Sequence, residues 1–90
     1  MAEHSEASRL AVTTPIELTY AIVIERAPGN YSAYVPDLPG CITVGDTIEE
    51  TIANMREAIS LHLDGMHEDG DPIPPPTTHV ATVTVRDPRA

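Results

Sequence analysis

Between Ile48 and Met66 the chain carries a pattern that only a helix satisfies. Ile48, Ile52, Met55, Ile59, Leu63 and Met66 recur at steps of four, three, four, four and three. At about 100° per residue these six fall within roughly 80° of one another, a single apolar stripe. Glu49, Glu50, Glu57, Ser60 and Asp64 all avoid it. Asp46 and Thr47 precede the stripe, each followed three residues later by a glutamate, which is the capping-box arrangement for a helix start. Gly65 and Gly70 are the candidate stops, so the helix is expected to end between them. One amphipathic helix in ninety residues has one stripe to bury, and the rest of the chain must supply the surface that covers it.

That surface is expected to be a small sheet. Ile16 to Arg26 alternates at period two (Ile16, Leu18, Tyr20, Ile22, Ile24), which predicts a half-buried strand. Ala27-Pro28-Gly29-Asn30 is turn chemistry, and Tyr31 to Val35 alternates again, so a hairpin with antiparallel pairing follows. Pro36 ends the second strand because it has no N–H to give to a ladder. Pro36-Asp37-Leu38-Pro39-Gly40 is a stiff loop, and Cys41 to Val44 is a short third strand. After the helix, Pro72 to Pro76 holds four prolines in five residues, an extended connector. His79 to Val85 alternates once more and is expected to be a last strand. The predicted class is therefore α+β in the order β-β-β-α-β, a mainly antiparallel sheet with the helix on one face. Residues 1–14 and 87–90 lack sustained apolar periodicity and are expected to be tails flanking a domain at 15–86.

Composition narrows the function classes. Fourteen acids against five bases, all arginine, give a net charge of −9. Nucleic-acid backbones are bound by clustered Lys and Arg, and this chain has no such cluster, so direct nucleic-acid binding is not expected. Cys41 is alone and cannot form an intrachain disulfide. The acidic N-terminus does not resemble a signal peptide, and no run approaches the roughly 18 apolar residues of a membrane helix. A cytoplasmic location is expected.

Four stretches together resemble the HicB antitoxin family: Tyr20-Ala21-Ile22-Val23-Ile24; Tyr31 through Val35 with the loop to Cys41; Gly45-Asp46-Thr47-Ile48-Glu49-Glu50-Thr51; and Glu68-Asp69-Gly70-Asp71-Pro72-Ile73-Pro74. The resemblance spans about residues 18 to 85. It implies a truncated ribonuclease-H-like fold and a protein that silences HicA, a small basic mRNA-cleaving toxin, by covering its active site. Many family members add a C-terminal DNA-binding module. Here Arg86-Asp87-Pro88-Arg89-Ala90 is too short for one, so DNA binding is not carried over.

Catalysis is not expected. A two-metal nuclease needs several converging carboxylates, whereas Glu17 and Glu25 lie at opposite ends of the first strand and Asp46 reads as a helix cap. His62 and His67 are five apart, which places their side chains about 140° apart on a helix, unsuited to one metal. Cys41 reads as a small buried residue. No metal or cofactor is expected. A binding role fits better. From Asp46 to Asp71 there are eight acids and only Arg56, a local net of −7 able to steer a basic partner. The expected contact residues are Tyr34 on a strand, Asp37 and Leu38 in the proline loop, Glu49, Glu50, Glu57 and Asp64 on the helix, and Leu61 on its polar side. The alternative is a stand-alone oligomeric protein-binding module without a toxin partner. In either case a core of about seventy residues with open sheet edges is thin, and a homo-oligomer is expected.

Overall fold

The computed structural model describes residues 16–89. The expected tail at residues 1–14 lies outside them. Three strands, β1 (Val23–Ala27), β2 (Asn30–Tyr34) and β3 (Ile42–Gly45), precede one helix, α1 (Ile48–Asp69). The sheet is antiparallel in the order β1-β2-β3. This is the α+β arrangement expected, with the helix packed on one face.

The hairpin turns at Pro28-Gly29, where Gly29 takes φ 84°, a left-handed angle that glycine adopts without a Cβ penalty. Val23 pairs with Tyr34 and Ala27 with Asn30. The register sends Ile24, Ala33 and Thr43 toward the helix, while Val23, Tyr34, Ile42 and Val44 face the other way.

β1 is shorter than its periodicity. Ile22 would pair with Val35, but the Val35 amide donates instead to the Cys41 carbonyl at 3.2 Å. The Leu38 amide donates to Val35 O and the Cys41 amide to Leu38 O, each at 3.1 Å, so the proline loop closes on itself. β2 thus turns away where residues 16–22 would need it. Tyr20 and Ile22 pack on the core while Ile16 and Leu18 are exposed, and the backbone of 16–22 joins no ladder among the described residues.

α1 opens with Thr47 as N-cap: its Oγ1 accepts from the Glu50 amide at 3.0 Å, and Glu50 Oε1 accepts from the Asp46 amide at 3.2 Å. The helix passes through Gly65 and stops at Gly70 (φ 73°), whose amide donates to His67 O while the Asp71 amide donates to Met66 O. The core is Ala33, Val35, Leu38, Cys41 and Met55. Thr51 is also fully buried, and its hydroxyl donates to Thr47 O at 2.7 Å, so no polar atom is stranded there. The helix enters so close to β3 that a Cβ at Gly45 would stand 2.7 Å from the Thr51 backbone nitrogen. Asn54 adds a bond from its side-chain amide to Val44 O at 2.9 Å.

The expected last strand is not present. Residues 79–86 are extended but pair with nothing among the described residues. Val80, Val83 and Val85 are 73%, 84% and 79% exposed.

Candidate partner-binding site

The eight residues expected to contact a partner fall into four environments. Leu38 is fully buried, packed with Val35, Cys41 and Met55. It is a core residue, which corrects its reading as a contact. Three nested turns swing it inward. The signal was in the spacing: Val35, Leu38 and Cys41 are apolar at steps of three, and all three are buried.

Asp37 is engaged within the domain. Its Oδ2 accepts from the Thr77 and Thr78 amides, both at 3.0 Å, and its Oδ1 from the Thr77 and Thr78 hydroxyls at 3.1 and 2.8 Å. These bonds, led by that from the Thr78 amide, hold its carboxyl below the ordinary value of 3.8. Asp37 therefore clasps the segment that follows the proline connector. Tyr20 helps from the other side, its hydroxyl donating to Pro74 O at 2.6 Å. Desolvation, with the Asp37 charge adding to it, raises the Tyr20 pKa.

The remaining residues lie on opposite sides of the domain. Glu50, Glu57 and Asp64 repeat at seven-residue intervals, which aligns them along the outer face of α1 about 10 Å apart. Leu61, 65% exposed, stands between Glu57 and Asp64 on that ridge. Glu49 lies to one side, and the Glu50 carboxylate is partly used in the cap. Arg56 lies about 100° from Glu57, on the flank facing residues 16–22, and leaves the ridge acidic.

Tyr34 belongs to a different surface. With Ser32, Ile42 and Val44 it lines the face of the sheet turned away from the helix, where Tyr34, Ile42 and Val44 are 42%, 70% and 55% exposed. Ile42 and Val44 are contact candidates that the sequence expectation does not include, because a four-residue strand shows its two faces only once its register is known. Its alternation sets Cys41 and Thr43 on the helix side against Ile42 and Val44 on the other, which makes the outer side apolar.

A third feature is a groove of about 600 Å³ between residues 16–22 and the flank of α1 bearing Ile52, Ile59 and Leu63. Among the described residues no three His, Cys, Asp or Glu side chains group as a metal site. Cys41 is buried, and desolvation raises its thiol pKa above 9.0. No helix among the described residues is long and apolar enough to cross a membrane.

Comparison with known proteins gives this geometry a family. Residues 20–88 match the model of the HicB-like antitoxin of the bacterial toxin–antitoxin system. A protein of the rep-hol intergenic region of Haemophilus phage HP1 is 46% identical over 57 residues, covering 63% of this chain and 43% of its own. A UPF0150 protein of Synechocystis is 36% identical over 66 residues, 72% of this chain and 84% of that protein. Antitoxin HicB 2 of Photorhabdus laumondii is 33% identical over 61 residues, covering 68% of this chain. This chain spans 44% of that antitoxin, less than half its length. Among solved structures, a chain of the HicA3 and HicB3 toxin–antitoxin complex superposes with a TM-score of 0.60 at 32% identity, covering 66% of this chain and 70% of that one. The match over residues 20–88, agreeing with the strand order and the single capped helix, establishes that the chain belongs to the HicB-like antitoxin family.

Proposed function

We propose that this chain is an antitoxin domain that binds a small basic HicA-type toxin in the cytoplasm and neutralises it by occlusion, without catalysis of its own. The observation carrying this reading is the 32% identity and shared fold with a chain of a HicA–HicB complex. Of the two exposed surfaces, the ridge of Glu50, Glu57 and Asp64 with Leu61 at its centre suits a basic partner. Charges there steer encounter, and the leucine offers an apolar anchor once water is displaced. The same acidity speaks against nucleic acid as a direct ligand of the domain.

Co-expression with a HicA toxin encoded beside it tests the proposal. Rescue of growth and co-purification of the two chains are expected. Reversal of the ridge by Glu57→Lys with Asp64→Lys should slow association about tenfold and flatten its salt dependence. Toxicity unrelieved by the wild-type chain, with no complex recovered, refutes the reading. The open sheet face of Tyr34, Ile42 and Val44 favours a second reading, a self-associating protein-binding module with no toxin partner. A gene neighbourhood without a HicA reading frame would select it. Both readings include a homo-oligomer.

A further inference from the structure

Residues 16–22 and residues 79–85 are two segments with strand-like alternation in sequence and no strand partner among the described residues. The first lost its neighbour when β2 turned at Val35, and β1 is an edge strand, so among the described residues the backbone of 16–22 is open on both sides. Above it α1 overhangs. The helix packs on β3 and β2, with little contact to β1. The Ile52, Ile59 and Leu63 side of its apolar stripe therefore reaches past the sheet and roofs the groove, leaving Ile52 39% exposed. A strand laid beside residues 16–22 would meet open amides along its edge and apolar side chains on the helix side.

The chain contains such a strand and carries it away from the groove. Four prolines stiffen the connector, and the Asp37 clasp pins Thr77 and Thr78. Beyond the clasp, Val80, Ala81, Thr82, Val83, Thr84 and Val85 run on with backbone unpaired among the described residues and with exposed valines. A stiff hinge before a strand that matches a vacancy elsewhere in the fold is the arrangement from which domain exchange arises.

Charge identifies the occupant of the groove. Two copies at −9 each repel over most of their surfaces. The arm from Val80 to Val85 carries no charge, and the groove holds one acid, Glu17, against one base, Arg56. The arm and groove therefore let two such chains meet without bringing like charges together, as the sheet face of Tyr34, Ile42 and Val44 also does, but of the two only the groove offers open backbone for a strand to pair with. The area is sufficient. An arm of about 20 Å, buried along one edge and one face at strand and layer spacings of about 5 and 10 Å, covers about 300 Å². Two exchanged arms with the surfaces they cover bury roughly 1,200 Å² in all, at the lower end of the range of stable interfaces.

We infer that two copies exchange their C-terminal arms, the Val80–Val85 segment of each adding as a strand to residues 16–22 of the other beneath Ile52, Ile59 and Leu63. This is a specific form of the homo-oligomer proposed above, and it does not depend on a toxin partner.

Light scattering of the full chain across the micromolar range tests it. A dimer is expected. Val83→Asp, at a site 84% exposed in the single chain, should leave the far-ultraviolet spectrum unchanged and weaken the dimer about a hundredfold or more, because the exchange buries the new charge. Val85→Asp serves as a second arm variant, and Glu57→Lys on the outer helix face should leave the dimer intact. In mixtures of methyl-labelled and unlabelled wild-type chains, intermolecular Overhauser contacts are expected between Val83 and the methyls of Ile52 or Ile59. A monomer at high micromolar concentration overturns both the exchange and the homo-oligomer. A dimer unaffected by both arm variants overturns the exchange alone, leaving association through another face. Contacts from Val83 to Ile52 only within one chain also overturn it, since the arm would then fold back on its own groove.

Discussion

Gly45→Ala is a severe test of the packing described above, because it adds one methyl group at the tightest point of the fold. The added Cβ would stand 2.5 Å from Thr51 Oγ1, 2.7 Å from Thr51 N and 2.9 Å from Thr51 Cα. Two of these three atoms are backbone in the first turn of α1, which the Thr47 cap and the buried Thr51 hydroxyl fix in place. Relief requires the helix start to retreat from β3 by about 0.7 Å, loosening Met55 against Leu38. Overpacking of a core typically costs 1–3 kcal/mol. With backbone on both sides of the clash, about 3 kcal/mol is expected. A folded unit of some seventy residues has about 4–10 kcal/mol in total, so Gly45→Ala removes a large share of it. The melting temperature should fall by about 12–24 °C. Urea titration followed by helical circular dichroism measures this directly. Adding Thr51→Ala removes the hydroxyl but neither backbone atom, and should not rescue the variant. Gly65→Ala provides the opposite sign. Its Cβ meets nothing within 4 Å and lies inside the helix, so a gain of about 0.5–1 kcal/mol is expected. A Gly45→Ala midpoint within error of the wild type would refute the close approach of α1 to β3.

Three further outcomes can be checked on the purified chain. Met55→Ala empties the centre of the core and should cost about 2–5 kcal/mol by urea titration, where Leu61→Ala on the exposed ridge should cost under about 0.5 kcal/mol. The Asp37 carboxyl has a folded pKa below its unfolded value, so the clasp contributes fully above pH 3.8 and is lost as pH falls through the folded value. The Thr77 and Thr78 amides should gain hydrogen-exchange protection with rising pH across that window, after correction for intrinsic rates, and Asp37→Asn should abolish the dependence. The Cys41 thiol, buried and raised in pKa, should alkylate at least about tenfold more slowly than a free cysteine at mildly alkaline pH and become normal on unfolding.

The helix was legible almost residue by residue because everything that defines it is local: the stripe, the Thr47 cap with Glu50, and the Gly70 stop. The turn at Gly29 and the strands on either side of Pro36 were legible for the same reason. The first and last strands were not, since alternation reports which side chains share a face and says nothing about whether a neighbour is there to pair. Ile16 to Ile22 has the alternation but lost its neighbour to a hydrogen bond between Val35 and Cys41, six residues apart. The clasp between Asp37 and Thr77 and Thr78 spans forty residues and left no trace in local pattern. The acidic ridge was partly legible from helical phase, while the apolar sheet face required the register.

The clasp also determines where a mechanical load goes. A pull on the segment beyond Thr78 does not reach α1 through the connector, because it first meets four hydrogen bonds converging on one carboxylate. Their shared acceptor makes them yield together and not one by one. The residue after Asp37 in the chain is Leu38, a fully buried side chain at the centre of the core. Force applied to the arm is therefore delivered to the centre of the core through the proline loop, and it reaches the helix there, at Met55, and not along the connector.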